Sequence, residues 1–146
     1  MPFSTLDVSV RKAPKRYLRA SKQYPANPQT IGQHLLKVRI DRNLPRRSVA
    51  EQIGVWPATI AQWEREKSMP EVIQMKGIIA FLGYYPLPEP TTLVGQIRKY
   101  RNVNGLTLEE FGKLLSVDGA TVWTWENGRY VPMPETEGKI EKLIYT

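Results

Sequence analysis

Sliding the chain over itself by 62 residues pairs residues 30–70 with 92–132 without a gap. Ten of the 41 paired positions are identical: Thr30/Thr92, Lys37/Lys99, Arg39/Arg101, Leu44/Leu106, Val55/Val117, Ala58/Ala120, Thr59/Thr121, Trp63/Trp125, Glu64/Glu126 and Pro70/Pro132. Other pairs keep their character, among them Leu35/Ile97, Val49/Phe111, Ala50/Gly112, Ile53/Leu115 and Ile60/Val122. A register held this long marks a duplicated structural unit. Each copy must therefore close its own core within about sixty residues, near the lower limit for an independent fold. GYYPLPEPTT, residues 83–92, carries three prolines and reads as a short, rather stiff connection between the copies.

Within a copy the apolar spacing is helical. Leu35 and Val38 lie three apart, as do Ile60 and Trp63; Val49 and Ile53 lie four apart; and Val72, Met75, Ile79 and Leu82 continue at three or four. Period-two alternation is missing, so the reading is all-α. Thr107 with Glu110 fits a capping box, Asp118 suits a helix N-cap, and Pro57 suits a first helical turn. One helix is expected over about 46–53 and the next over about 57–66, with GVW between them in the first copy and SVD in the second. A small residue in the first of these helices, Ala50 or Gly112, permits close crossing, and a valine in the turn fixes the angle. This is a helix-turn-helix. Ile60 and Trp63 then face inward, while 56–58 and 61–62 face outward, where they can enter a major groove.

LPRRSVAEQIGVWPATIAQWERE and LTLEEFGKLLSVDGATVWTWENG each resemble the Cro/phage-repressor type of helix-turn-helix, the XRE family. The chain is similar to bacterial tandem-repeat members of that family. The resemblance covers about 110 of the 146 residues and departs at Glu66, where the family prefers glycine, and at Gly112, where alanine is usual. It implies two tandem lambda-repressor-like bundles of four to five short helices each. It also implies sequence-specific binding of double-stranded DNA by a transcriptional regulator, a repressor, without enzymatic chemistry and without cofactor. The expected boundaries are a basic N-terminal arm over 1–29, a first domain over 30–83, a Pro-rich linker over 84–91 and a second domain over 92–146. Localisation would be cytoplasmic, in the bacterial nucleoid.

The candidate DNA-binding residues of the first copy are Arg46, Arg47, Trp56, Pro57, Ala58, Thr59, Gln62, Arg65 and Lys67; those of the second are Thr121, Thr124, Asn127 and Arg129. Gln62 has the geometry to read adenine, and Ala58 could meet a thymine methyl. Arg46 and Arg47 stand where the family approaches phosphate, whereas the second copy has Leu108 and Glu109 there, followed by Glu110. The first copy is therefore the expected main reader. Trp123 is bulky for base reading and suits a homodimer or another protein partner. Arg39 with Glu64, and Arg101 with Glu126, match a buried pair of the family that joins its first helix to the recognition helix. The lone histidine, His34, has no partner pattern and is expected at the surface.

The charge is uneven. Of a net +7, residues 1–30 carry six basic groups (Arg11, Lys12, Lys15, Arg16, Arg19 and Lys22) against Asp7, and the remaining chain carries 15 basic and 13 acidic groups. Pro14 and Pro25 oppose a long helix there, so the arm is expected to be flexible and to favour a polyanion. The absence of cysteine excludes disulfides and Cys-based zinc sites. A single histidine, no P-loop lysine and no metal-holding acidic cluster argue against an enzyme or a metal site. No apolar run approaches the roughly 18 residues of a membrane span. Two alternatives stay open: an antitoxin-like or other protein-interaction adaptor, and an accessory factor that bends DNA in recombination or excision.

Overall fold

Four helices begin at residues 31, 46, 57 and 72, and four more at 93, 108, 119 and 134, so every start recurs 62 residues later. The computed structural model describes residues 24–146. Its elements are α1 (Ile31–Asp41), α2 (Arg46–Ile53), α3 (Pro57–Glu64), α4 (Val72–Leu82), α5 (Leu93–Asn104), α6 (Leu108–Leu114), α7 (Gly119–Glu126) and α8 (Pro134–Tyr145), with no strand among the described residues. The chain is thus all-α, as its periodicity predicts. The six basic residues of the arm, Arg11, Lys12, Lys15, Arg16, Arg19 and Lys22, lie outside the described residues.

Local chemistry sets these starts. Thr30 and Thr92 each cap a helix by accepting from the N–H three residues on, that of Gln33 or Gly95. Thr107 and Glu110 complete a reciprocal capping box on α6, and Asp118 caps α7 through the Thr121 N–H. Pro57 and Pro134 occupy the first turns of α3 and α8, where a missing N–H costs nothing.

The repeat also fixes three left-handed turns: Asn43 (φ 59°) and Gly105 (64°), Gly54 (88°) and Ser116 (60°), and Glu66 (59°) and Gly128 (69°) are matched pairs. In each pair one copy uses glycine and the other forces a side chain into a conformation that L-residues disfavour. Glu66, the departure seen in the sequence, is the strained member of the last pair.

The described residues form two compact units. Unit 1 runs to Met69 and takes in Ala80–Leu87; unit 2 comprises Pro70–Ile79 and Pro88–Thr146. In unit 1, α3 packs on α1 and α2, and Leu35, Val49, Ile60 and Trp63 are buried. Arg42 donates to the carbonyls of Phe81 (2.7 Å) and Leu82 (3.3 Å), satisfying the C-terminal end of α4. His34 is half-buried and has a partner after all: its Nδ1 lies 2.7 Å from the Tyr84 hydroxyl, with the rings edge-on.

In unit 2, α7 packs on α5 and α6, and α8 packs on α5. Its core is Ile97, Phe111, Leu115, Val122, Trp125 and Ile140, with Tyr100 edge-on to Phe111. Four of these six (Ile97, Phe111, Val122 and Trp125) pair in the repeat with Leu35, Val49, Ile60 and Trp63.

Glu66→Gly should stabilise unit 1 by roughly 1 kcal/mol, the left-handed penalty less the extra chain entropy of glycine. Gly128→Ala, at the matched turn, should destabilise unit 2 by a similar amount. Denaturant unfolding of the full chain measures both, and a midpoint that falls on Glu66→Gly contradicts the strain.

Candidate nucleic-acid interface

The turn between α2 and α3 is built from the backbone of Ala50. Its carbonyl accepts from the Gly54 N–H (2.8 Å) and the Val55 N–H (3.0 Å). Trp56 follows in extended conformation and leads into Pro57, as a residue before proline must. In unit 2 the Val117 N–H donates to the Gly112 carbonyl at 2.9 Å. A Cβ on Gly112 would sit 2.5 Å from the Val117 carbonyl oxygen, so here the second copy needs glycine where the first has alanine. Its other departure from the family pattern thus has a steric cause.

The end of α3 is held by charge. Arg39 grips Glu64 with two bonds, Nε to Oε2 at 2.6 Å and a terminal nitrogen to Oε1 at 3.0 Å. Its other terminal nitrogen donates to the Leu44 carbonyl at 3.2 Å. Arg46 adds a third bond to the same carboxylate, Nε to Oε1 at 2.8 Å. Arg46 is therefore engaged by Glu64 as well as standing at the start of α2, while Arg47 is exposed. In unit 2 Arg101 holds Glu126 at 2.9 and 3.4 Å. The second arginine there is Arg98, which approaches the carboxylate at 3.5 Å and donates to the Glu126 carbonyl at 2.8 Å. Sequence reading passed over Arg98, although its spacing of three from Arg101 puts both on one helix face.

The two outward faces differ. On unit 1, Trp56, Pro57, Ala58, Gln62, Arg65 and Lys67 are exposed and Thr59 is half-buried; α3 has no side-chain cap. On unit 2 the Asp118 carboxylate accepts from the Thr121 N–H (2.8 Å) and hydroxyl (2.6 Å). These bonds, the hydroxyl's first, hold the Asp118 carboxyl below the usual carboxylate range, so its charge persists at neutral pH. The Thr124 hydroxyl donates to the Thr121 carbonyl at 2.6 Å, and the Asn127 side-chain amide donates to the Trp123 carbonyl at 2.9 Å. Arg129 stacks over the Trp123 ring at 5.2 Å.

Three of the four second-copy candidates thus already bond within the unit, and the fourth stacks on an indole. Of the acidic pair, Glu110 turns back into its capping box, and Glu109 leans over α7, close enough that a Cβ on Gly119 would meet its Oε1 at 2.6 Å. Counted over matched segments, residues 44–68 hold four basic and three acidic groups, and residues 106–130 hold two basic and four acidic. The net charges are +1 and −2.

A family model described as "Helix-turn-helix" matches residues 35–89, and one described as "Helix-turn-helix domain" matches residues 92–144. The chain is a tandem helix-turn-helix protein of the XRE type. The two matches fall one on each repeat and together span most of the chain. No curated protein and no solved structure matches it.

A helix-turn-helix protein of this type binds DNA in transcription regulation, and among the described residues no helix is long and apolar enough to cross a membrane. In unit 1 the Glu64 cluster ties the end of α3 to α1 and α2. Arg39 and Glu64 side chains are 7% and 1% exposed. Removing one partner leaves a buried charge uncompensated, so Arg39→Ala should destabilise unit 1 by about 3–5 kcal/mol, less whatever Arg46 retains. Arg101→Ala should cost less, because its pair is more exposed and one of its bonds is long. Chemical unfolding of the two full-length variants decides it, and equal small losses would contradict a buried anchor.

Proposed function

We propose that this protein is a sequence-specific transcriptional repressor whose first unit is the main major-groove reader. The two readers correspond to residues 30–83 and 92–146, joined by 84–91. The observation that carries the proposal is the contrast between the two faces. The exposed side of α3 combines Gln62 with Arg65 and Lys67 nearby and has no carboxylate at its helix start. The corresponding start of α7 carries Asp118, with Glu109 beside it. Phosphates and base acceptors repel carboxylates, so unit 2 is the weaker reader. Repression is the simplest consequence of occupancy, because a protein bound over a promoter excludes polymerase without any further contact.

Selection from a random duplex pool supplies the site, and a reporter carrying that site then tests the direction of regulation. Expression should fall when the protein is present, and a rise refutes the repressor role. On the selected duplex, Gln62→Ala should lose about 1–3 kcal/mol and relax preference at one base pair. Thr124→Ala should lose much less. Equal losses would remove the asymmetry.

The basic arm completes the proposal as a phosphate contact. Each phosphate neutralised contributes roughly −0.9 to the slope of log affinity against log salt. If about half of the six groups engage, deleting residues 1–22 should reduce that slope by about 2–4 and weaken specific and non-specific binding together. Parallel salt titrations of the full and shortened chains would exclude the arm.

A further inference from the structure

The leading tip of α3 is apolar. Trp56 is 79% exposed, and Pro57 and Ala58 beside it are exposed too. An indole can bury 150–250 Å², so leaving one in water on a reading helix forgoes a large favourable term unless a ligand covers it. The backbone anchors this residue on both sides. The preceding Val55 N–H is bound to the Ala50 carbonyl at 3.0 Å, and the Trp56 carbonyl accepts from the Thr59 N–H at 2.9 Å and the Ile60 N–H at 3.4 Å. Pro57 restricts Trp56 to the extended conformation observed, φ −79°, ψ 149°.

The tip has no charged group, and its only polar side-chain atom is the indole N–H. Major-groove base edges differ in their donors, their acceptors and a single apolar feature, the C5-methyl of thymine. An apolar tip has little but that methyl by which to tell one base from another. A cytosine methylated at C5 presents the same group. Unit 2 has no such tip, because Asp118 stands at the position matching Trp56 and Gly119, matching Pro57, is buried.

We infer that the Trp56–Pro57–Ala58 tip of unit 1 reads a C5-methyl group in the major groove, with Trp56 as its principal contact. Thymine and 5-methylcytosine satisfy it, and uracil and unmethylated cytosine do not. This rests on unit 1 being a DNA reader, and Gln62, which lies one turn further along α3, tests that premise separately.

The experiment uses the full chain and the duplex selected from a random pool. Each thymine of that duplex is replaced in turn by deoxyuridine, which removes only the methyl. One or two positions should lose roughly fourfold in affinity, the worth of a buried methyl. The loss should vanish in Trp56→Ala and persist in Gln62→Ala. At the same position a C·G pair should bind more weakly than its 5-methylcytosine counterpart by a similar factor. If no deoxyuridine costs affinity while Gln62→Ala still weakens binding, methyl reading is overturned and unit 1 remains the reader. A deoxyuridine penalty of equal size in wild type and Trp56→Ala also overturns it, since another group then feels the methyl. If the pool yields no enriched site, or neither variant weakens binding, the underlying reading fails and the inference with it. Trp56 is outside the core, so both variants should melt with the wild type, and the wild-type substitution series needs no variant.

Discussion

The Glu64 carboxylate is almost wholly out of water and is gripped by guanidinium groups from two different segments, Arg39 of α1 and Arg46 at the start of α2. An isolated carboxylate in such a place would cost several kcal/mol in lost hydration. Two-bond contact with Arg39 and a further bond from Arg46 offset that cost, and the remaining Arg39 donor ties the turn at Leu44. One carboxylate thereby fixes the end of α3 against α1, the turn after it and α2. The angle at which α3 is presented depends on this cluster more than on apolar packing, which is less directional.

Unit 2 solves the same problem differently, and the difference spreads. Arg98 of α5 supplies its second cation, so the position matching Arg46 need not be charged. It is Leu108, which packs partly buried against the core of Phe111 and Trp125. One exchange thus removes a cation from the start of α6 and adds apolar contact. With Glu109 and Glu110 following, the start of α6 becomes acidic where the start of α2 is basic. Divergence in charge between the two faces is in this sense a consequence of how each buried carboxylate is satisfied.

These details divide what the sequence discloses from what it conceals. Caps such as Thr107/Glu110 and Asp118 are legible because partner and target lie within four residues. The turn at Val55 and Val117 and the inward set Ile60, Trp63, Val122 and Trp125 are legible because periodicity alone orders them. The matching starts of α4 and α8 are much less so, since beyond Pro70/Pro132 the copies share only the buried pair Ile78/Ile140, and the offset there is kept mainly by the backbone. Arg46 reads naturally as a phosphate ligand, because nothing local reveals that an oxygen of a glutamate 18 residues away lies within its reach. Glu109 reads as a repulsive group near phosphate for the same reason, and its position over Gly119 is a tertiary fact.

The helix starts sharpen the contrast between the units. Asp118 gives α7 a strong side-chain cap and places a negative charge on the positive end of its dipole. α3 forgoes a cap of this kind, which by itself costs about 1 kcal/mol. A unit near the lower size limit forgoes that stability only under some other constraint, and violations of local rules concentrate where a surface must meet a ligand. The uncapped end of α3 leaves the positive pole of the helix and an apolar indole facing outward together. The α7 start, by contrast, is already satisfied by its own carboxylate.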